Sequence, residues 1–317
     1  MEHQMNLHTY KEDFSALINR TSEYLNIPEF FIEKDYWVTY VLKNLSLSKY
    51  SEQVVFKGGT SLSKAYGCIE RFSEDIDLAL KDPELGDAKR KNLMKQIEQA
   101  VSEGLDLIEE HPLEEKKGRN RRTFYQYLHI HPVASFSPVK DVIQLEVNTF
   151  THPSPVESRQ IETFIKKFLE ENGFKEEVNR YELQPFNVQT LSIERTFCEK
   201  VLSLIRLSYE GADRLRPKIR HFYDITRIMK NITFSDSIVD TFKLALADDK
   251  NNPTFAGVWL EIPLSQAPLF KNYKTIWESL ETSYTKELSS LIWNEKLPSS
   301  REVTKSINEL RTLIEKI

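Results

Sequence analysis

The sequence predicts an α/β (α+β) protein with a small sheet-bearing core at residues 51–152. A helical N-terminal extension, 1–50, precedes the core and a mainly helical C-terminal domain, 153–317, follows it. Three patterns predict this. The first fifty residues place apolar side chains at helical spacing. Residues 76–80 and 141–150 alternate apolar and polar side chains, as strands do. Beyond Pro153 and Pro155 the periodicity is helical to the end, apart from one short extended piece at 181–188.

Phe30, Phe31, Tyr36, Trp37, Val38, Tyr40, Val41 and Leu42 recur at helix-like steps after Pro28, with Glu33-Lys34-Asp35 between them. Val54-Val55-Phe56 is a short β-rich run that ends at Gly58-Gly59, and residues 60–66 favour a helix ending near Gly67. Ile76, Leu78 and Leu80 alternate with Asp75, Asp77 and Ala79, giving a strand with one apolar and one partly acidic face that Pro83 closes. Residues 87–105 read as an exposed helix on Leu93, Ile97 and Val101. Residues 109–117 suit a loop or a strand edge, and 123–130 an aromatic-rich strand. In 141–150, Ile143, Leu145 and Val147 face one way and Gln144, Glu146 and Asn148 the other.

Composition narrows the function classes. Hydrophobic residues make up 40% of the 317 and charged ones 29%, which excludes a disordered chain. A net charge of −5 excludes a global positive field, so any nucleic-acid contact must use local patches. Two distant cysteines, Cys68 and Cys198, indicate neither a disulfide framework nor a zinc site. No apolar run approaches the ~18 residues of a membrane helix, and Met1-Glu2-His3-Gln4 does not start a signal peptide. A cytoplasmic protein with no membrane partner is expected.

The chemistry concentrates between Phe56 and Leu80. Asp75 and Asp77, one residue apart, project to one side of a strand, and adjacent carboxylates need a cation between them. Mg²⁺ (or Mn²⁺) suits, since it is held by one or two carboxylates plus substrate phosphates. Glu146, on the polar face of the later strand, is the candidate third ligand. The glycine pair would offer backbone N–H groups to phosphates, with Thr60 or Ser61 bonding a terminal one. It is not a Walker A loop, because Lys57 precedes the glycines and Lys64 follows a serine. A bare Asp-x-Asp is more often an exposed edge strand; the glycine turn and Glu146 favour the metal reading.

Phe56-Lys57-Gly58-Gly59-Thr60-Ser61-Leu62-Ser63-Lys64, followed by Arg71-Phe72-Ser73-Glu74-Asp75-Ile76-Asp77-Leu78, resembles the AbiEii nucleotidyltransferase toxins of bacterial abortive-infection toxin–antitoxin pairs. The likeness extends upstream to Glu33-Lys34-Asp35-Tyr36-Trp37. Downstream it reaches Arg195-Thr196-Phe197-Cys198-Glu199-Lys200 and Arg220-His221-Phe222-Tyr223-Asp224-Ile225. It thus runs from about residue 30 to 230. The resemblance implies a polymerase-beta-like core with a mixed sheet. It implies catalytic roles for Asp75, Asp77, Lys200 and Asp224, and metal ligation by Asp75, Asp77 and Glu146. Nucleotide binding would fall to Lys57, Gly58, Gly59, Thr60, Ser61, Ser73 and Lys200. It further implies an NTP substrate, an RNA acceptor such as the 3′ end of tRNA, and a cognate antitoxin. Transfer to a protein acceptor, or a non-catalytic nucleotide- or partner-binding module, are the alternatives.

The residues themselves leave simpler readings open. Lys200 could pair with Glu199 or Glu194 on its own helix, and Asp224 with Arg220 one turn earlier. Arg119, Arg121 and Arg122 precede Phe124, Tyr125 and Tyr127, mixing phosphate-binding charge with stacking rings. Arg214, Arg216, Lys218 and Arg220 form a second basic cluster; each cluster is more often a solvated face. His129 and His131 lack a nearby third ligand and read as structural or exposed. Trp259, Trp277 and Trp293 read as core.

Overall fold

The computed structural model describes residues 4–73, 75–81, 85–130, 141–150 and 152–317. Contacts divide the chain into two units. One comprises Met1–Tyr66 and Phe72–Thr190, the other Gly67–Arg71 and Leu191–Ile317.

In the first unit, helices α1 (Lys11–Leu25) and α2 (Glu29–Leu47) precede β1 (Val54–Lys57), α3 (Gly58–Lys64), β2 (Ile76–Leu80) and α4 (Asp87–Val101). Then come β3 (Asp106–Leu107), β4 (Glu115–Lys116), β5 (Asn120–Gln126) and β6 (Ile143–Asn148). The unit ends with β7 (Val156–Ile161), α5 (Phe164–Glu171), α6 (Lys175–Arg180) and β8 (Phe186–Leu191). The strands make one sheet in the order β3-β5-β6-β2-β1-β8-β7, with β4 also on β5. β1 runs antiparallel to β2, and β5 to β6; β2 with β6 and β1 with β8 are parallel. This is the mixed α/β architecture that the sequence predicts.

Helix α2 is buried nearly all round, as its apolar circumference requires. Three consecutive charges, Glu33, Lys34 and Asp35, are buried too, and each ties down a distant segment. Glu33 Oε1 accepts from the Ile130 amide at 2.6 Å. Lys34 Nζ donates to the Val142 carbonyl. Asp35 Oδ1 pairs with Lys64 Nζ at 2.6 Å, and its Oδ2 accepts from the Phe164 amide at 2.9 Å.

The structure departs from the sequence reading at several points. Residues 156–161, expected outside the sheet, form β7: Val-Glu-Ser-Arg-Gln-Ile buries only Ile161 and so carries no apolar face to announce a strand. β6 is buried on both faces, with Gln144 and Asn148 inside as well as Ile143, Leu145 and Val147. In α4 Met94, rather than Leu93, joins Ile97 and Val101 in the core. Phe124, Tyr125 and Tyr127 are buried, so the stacking rings expected beside Arg119–Arg122 serve the core instead. Pro83 and His131 lie outside the described residues.

The second unit is helical: α7 (Ile193–Ser208), α8 (Ala212–Leu215), α9 (Ile219–Ile228), α10 (Asp236–Asn251), α11 (Pro268–Lys271), α12 (Tyr273–Leu288) and α13 (Ser300–Ile314). Ser192 caps α7 by accepting from the Arg195 amide at 3.1 Å, and Ser299 with Glu302 forms a capping box on α13. Helix α9 is the centre, with α7, α12 and α13 packed against it. The inserted pentapeptide is tied in by an Arg71–Ile292 β-bridge and by the Trp293 amide donating to the Glu70 carbonyl at 3.1 Å. Trp259 and Trp277 are core, as expected, whereas Trp293 is only partly buried. Among the described residues no helix is long and apolar enough to cross a membrane.

Candidate active site

The acidic residues of the first unit stand in a charged row across the sheet. Cα register sets Lys57 of β1 opposite Asp77 of β2, Asp77 beside Glu146 of β6, Glu146 opposite Arg122 of β5, and Arg122 opposite Glu115 of β4. Cross-strand partners share a face, so the sheet presents cation, acid, acid, cation, acid in turn. Asp75 immediately precedes β2 and acts electrostatically on Arg122. The sequence could supply the alternation within each strand. Only the register supplies the row.

The glycine turn is built around Asp77. Gly58 has φ +82°, a left-handed conformation that disfavours side chains, and a Cβ there would lie 2.1 Å from Asp77 Oδ2. The missing side chain is therefore the space that the carboxylate fills. Thr60 and Ser61 are buried and their hydroxyls donate inward: Thr60 Oγ1 to the Asp75 carbonyl at 2.5 Å, Ser61 Oγ to the Gly58 carbonyl at 2.9 Å. Thr60 also lies 3.1 Å from Ser73 Oγ. These bonds tie the acidic segment to the turn. Phe72 anchors its start by stacking on Phe31 at 4.2 Å.

Glu146 is engaged already. Arg122 donates to its Oε2 from Nε at 3.0 Å and from Nη2 at 2.9 Å, while Asn148 Nδ2 lies 3.4 Å from Oε1. Burial works to lower the Arg122 proton affinity, but Glu146, Glu115 and Asp75 outweigh it and hold the guanidinium above its ordinary range. Asp75 and Asp77 offer hard oxygen donors beside a side-chain-free turn, which fits a divalent ion held by two carboxylates and completed by phosphate oxygens. Among the described residues no group of three metal-ligating side chains is assembled.

In the second unit Lys200 and Asp224 meet. Asp224 on α9 is wholly buried and is gripped by Arg71 through two bonds of 2.7 Å and by Lys200 at 2.8 Å. Burial would raise its carboxyl, yet the two cations win and hold it well below the usual carboxylate range. The partners offered by the sequence are displaced: Lys200 is buried against Asp224 from another helix, and Glu199 instead pairs with Arg195 at 3.3 Å. His221, one turn before Asp224, is pushed well below the ordinary imidazole range by burial and by Lys200 and Lys218. The pairings of Arg71 with Asp224 and of Arg122 with Glu146 are what the sequence did not show. Arg71 lay inside the family motif without an assigned role; Arg122 stood in a basic cluster, and only register joins it to Glu146.

The basic clusters are largely spent on local acids. Arg121 pairs with Glu98 at 2.5 Å, Arg214 with Glu210 at 2.8 Å, and Arg216 with Asp213 at 3.4 Å. His129 makes a 2.8 Å bond with the Asp141 carbonyl.

No match was found among curated protein sequences. Among solved structures, MenT4, a nucleotidyltransferase toxin from Mycobacterium tuberculosis H37Rv, is 15% identical with a TM-score of 0.47, over 91% of this chain and 92% of that one. The family model for the nucleotidyl transferase AbiEii toxin of type IV toxin–antitoxin systems matches residues 40–303, and the chain belongs to that family of nucleotidyltransferase toxins.

Proposed function

We propose that this toxin moves a nucleoside monophosphate from an NTP onto an acceptor hydroxyl of RNA, the 3′ end of a tRNA, with Mg²⁺ or Mn²⁺ as cofactor. The observation that supports this best is the fit of the Asp77 carboxylate into the space left by Gly58. It joins the phosphate-type turn to the acidic strand in one arrangement. A new bond forms between the acceptor oxygen and the α-phosphorus, the bond from that phosphorus to the β-phosphate oxygen breaks, and pyrophosphate leaves as the hydroxyl loses its proton. Asp75 and Asp77 would hold the divalent ion, with Glu146 beside Asp77 as the candidate third carboxylate. Lys57, Gly58, Gly59, Thr60, Ser61 and Ser73 would bound the triphosphate. When bound, the ion neutralises triphosphate charge and makes the hydroxyl a better nucleophile. Lys200, its ammonium oriented by Asp224 at 2.8 Å, would neutralise charge on the phosphates. The protein's own work is positioning and charge placement.

Membership in a type IV toxin–antitoxin family implies an antitoxin partner; encoding beside the toxin and action in the cytoplasm are part of this proposal. A protein acceptor stays as a second reading because the rings expected to stack RNA bases, Phe124, Tyr125 and Tyr127, are buried. Labelled NTPs incubated with purified tRNA, total protein and Mg²⁺, beside the Asp77→Ala variant, test both. Label on tRNA that vanishes in Asp77→Ala, with the melting temperature kept, is the expected result. Label on protein alone rejects the RNA acceptor. Undiminished labelling and toxicity in Asp77→Ala reject the catalytic site itself.

A further inference from the structure

We infer that Arg122 is a positioning residue that opposes metal binding at the acidic row, so that the divalent ion enters with its nucleotide rather than ahead of it. The inference rests on the proposed function above and concerns the same site. Its warrant is the engagement of Glu146. Arg122 reaches one Glu146 oxygen with two donors, at 3.0 and 2.9 Å, and Asn148 reaches the other at 3.4 Å. Glu146 is in register with both Asp77 and Arg122, so only its own strand, β6, lies between the arginine and the paired acids. Lys57 stands opposite Asp77 on the far side. The acids are thus flanked by a cation at each side.

Such a row already balances much of its own charge. A divalent ion approaching alone gains less from Asp75 and Asp77 than from the same acids without Arg122, because it meets the guanidinium's repulsion and finds Glu146 occupied. An ion that arrives bound to a triphosphate comes as part of a complex of net negative charge, which the same flanking cations attract. Arg122 and Glu146 are also accessible enough to exchange partners: their side chains are 32% and 15% exposed. A purely architectural pair would be indifferent to the ion.

The test is Mn²⁺ binding, read from the electron paramagnetic resonance signal of the unbound ion, with no nucleotide and no turnover. Arg122→Gln should bind Mn²⁺ about tenfold more tightly than the wild type, the size expected when a unit charge near a divalent ion is removed from a half-solvated site. Arg122→Lys keeps a cation but loses the two-pronged hold, so it should shift the same way by a smaller factor. A folded Arg122→Gln that binds Mn²⁺ no more tightly overturns the inference. If that variant does not fold, an unchanged affinity in Arg122→Lys overturns it equally. Failure of the underlying functional reading has a separate signature: Mn²⁺ binding that Asp77→Ala leaves untouched.

Discussion

Replacing Asp224 by Asn should destabilise the helical unit far more than replacing Asp77 by Asn disturbs the sheet. Asp224 is wholly buried and anchors three short contacts, two from Arg71 at 2.7 Å and one from Lys200 at 2.8 Å. Removing one partner of a buried ion pair typically costs about 3–5 kcal/mol, because the remaining charge is left unpaired. Here two cations would be stranded. Asparagine restores one acceptor, and a hydrogen bond to a charged group is worth roughly 1.5–3 kcal/mol, so the net loss should fall near 3 kcal/mol, at the lower end of that range. Lys200→Met, which leaves both Arg71 bonds intact, should cost less than Arg71→Met.

Urea unfolding followed by tryptophan fluorescence measures this. Of the four tryptophans, Trp259, Trp277 and Trp293 belong to the helical unit and Trp37 to the other, so the signal is weighted toward the helices. The pH dependence supplies an independent check. The Asp224 carboxyl is held below its ordinary value, so the folded state binds its proton less readily than the unfolded chain. Its contribution is therefore complete above about pH 4, the unfolded carboxylate value, and is lost only as the pH falls through the still lower folded value. Asp224→Asn should consequently lower the urea midpoint by the same amount at pH 7 and pH 5. An unchanged midpoint refutes the reasoning, and so does a difference between variant and wild type that grows from pH 5 to pH 7.

Gly58→Ala should cost roughly 1–3 kcal/mol for its left-handed backbone and abolish nucleotidyl transfer even in the folded fraction, because the new methyl takes the place of the Asp77 carboxylate; melting and labelled-NTP transfer measured on one preparation would show both. Asp77→Asn, at a partly exposed position beside Glu146, should leave the melting temperature within the small range of surface changes while eliminating transfer. Asp249 has the opposite linkage from Asp224. Burial first, against the opposing pull of Arg206, lifts its carboxyl to about 6, so the native state holds a proton that the unfolded chain has lost, and stability falls as pH rises from about 4 to 6 by roughly 3 kcal/mol. Asp249→Asn should flatten that limb of the pH–melting curve; an unchanged slope would count against it.

The sheet was legible where strands carried apolar alternation and illegible where they did not. β2 and β6 declared themselves through Ile76, Leu78 and Leu80 and through Ile143, Leu145 and Val147, which all became core. β7 stayed hidden because an edge strand needs little apolar surface. Strand order was beyond reach altogether: β8 joins β1 in parallel after an interval of more than a hundred residues, and no local pattern encodes that. The family match reaches residue 303, although nothing recognisable in the sequence extended past about 235. Helical packing there follows a period that many families share, so it carries little specific signal.

The candidate site shows why motif residues cannot be read as one class. Glu33, Lys34 and Asp35 belong to the same motif set as Asp75 and Asp77, yet their charges are buried and spent on Ile130, Val142, Lys64 and Phe164. Burying a charge without a partner is costly enough that each must find one, and these three find theirs in distant segments of the chain. Asp75 and Asp77 remain partly exposed. Spacing along the chain is the same kind of evidence for both groups; burial separates them. Arg122 and Arg71 make the converse point, since the sequence placed one in a basic cluster and the other in a motif without showing the acid that either would meet. Asp75 and Asp77 were singled out because two carboxylates at close spacing are an electrostatic problem in themselves, whereas the pairing of Arg122 with Glu146 and of Arg71 with Asp224 joins distant parts of the chain and becomes visible only with the fold.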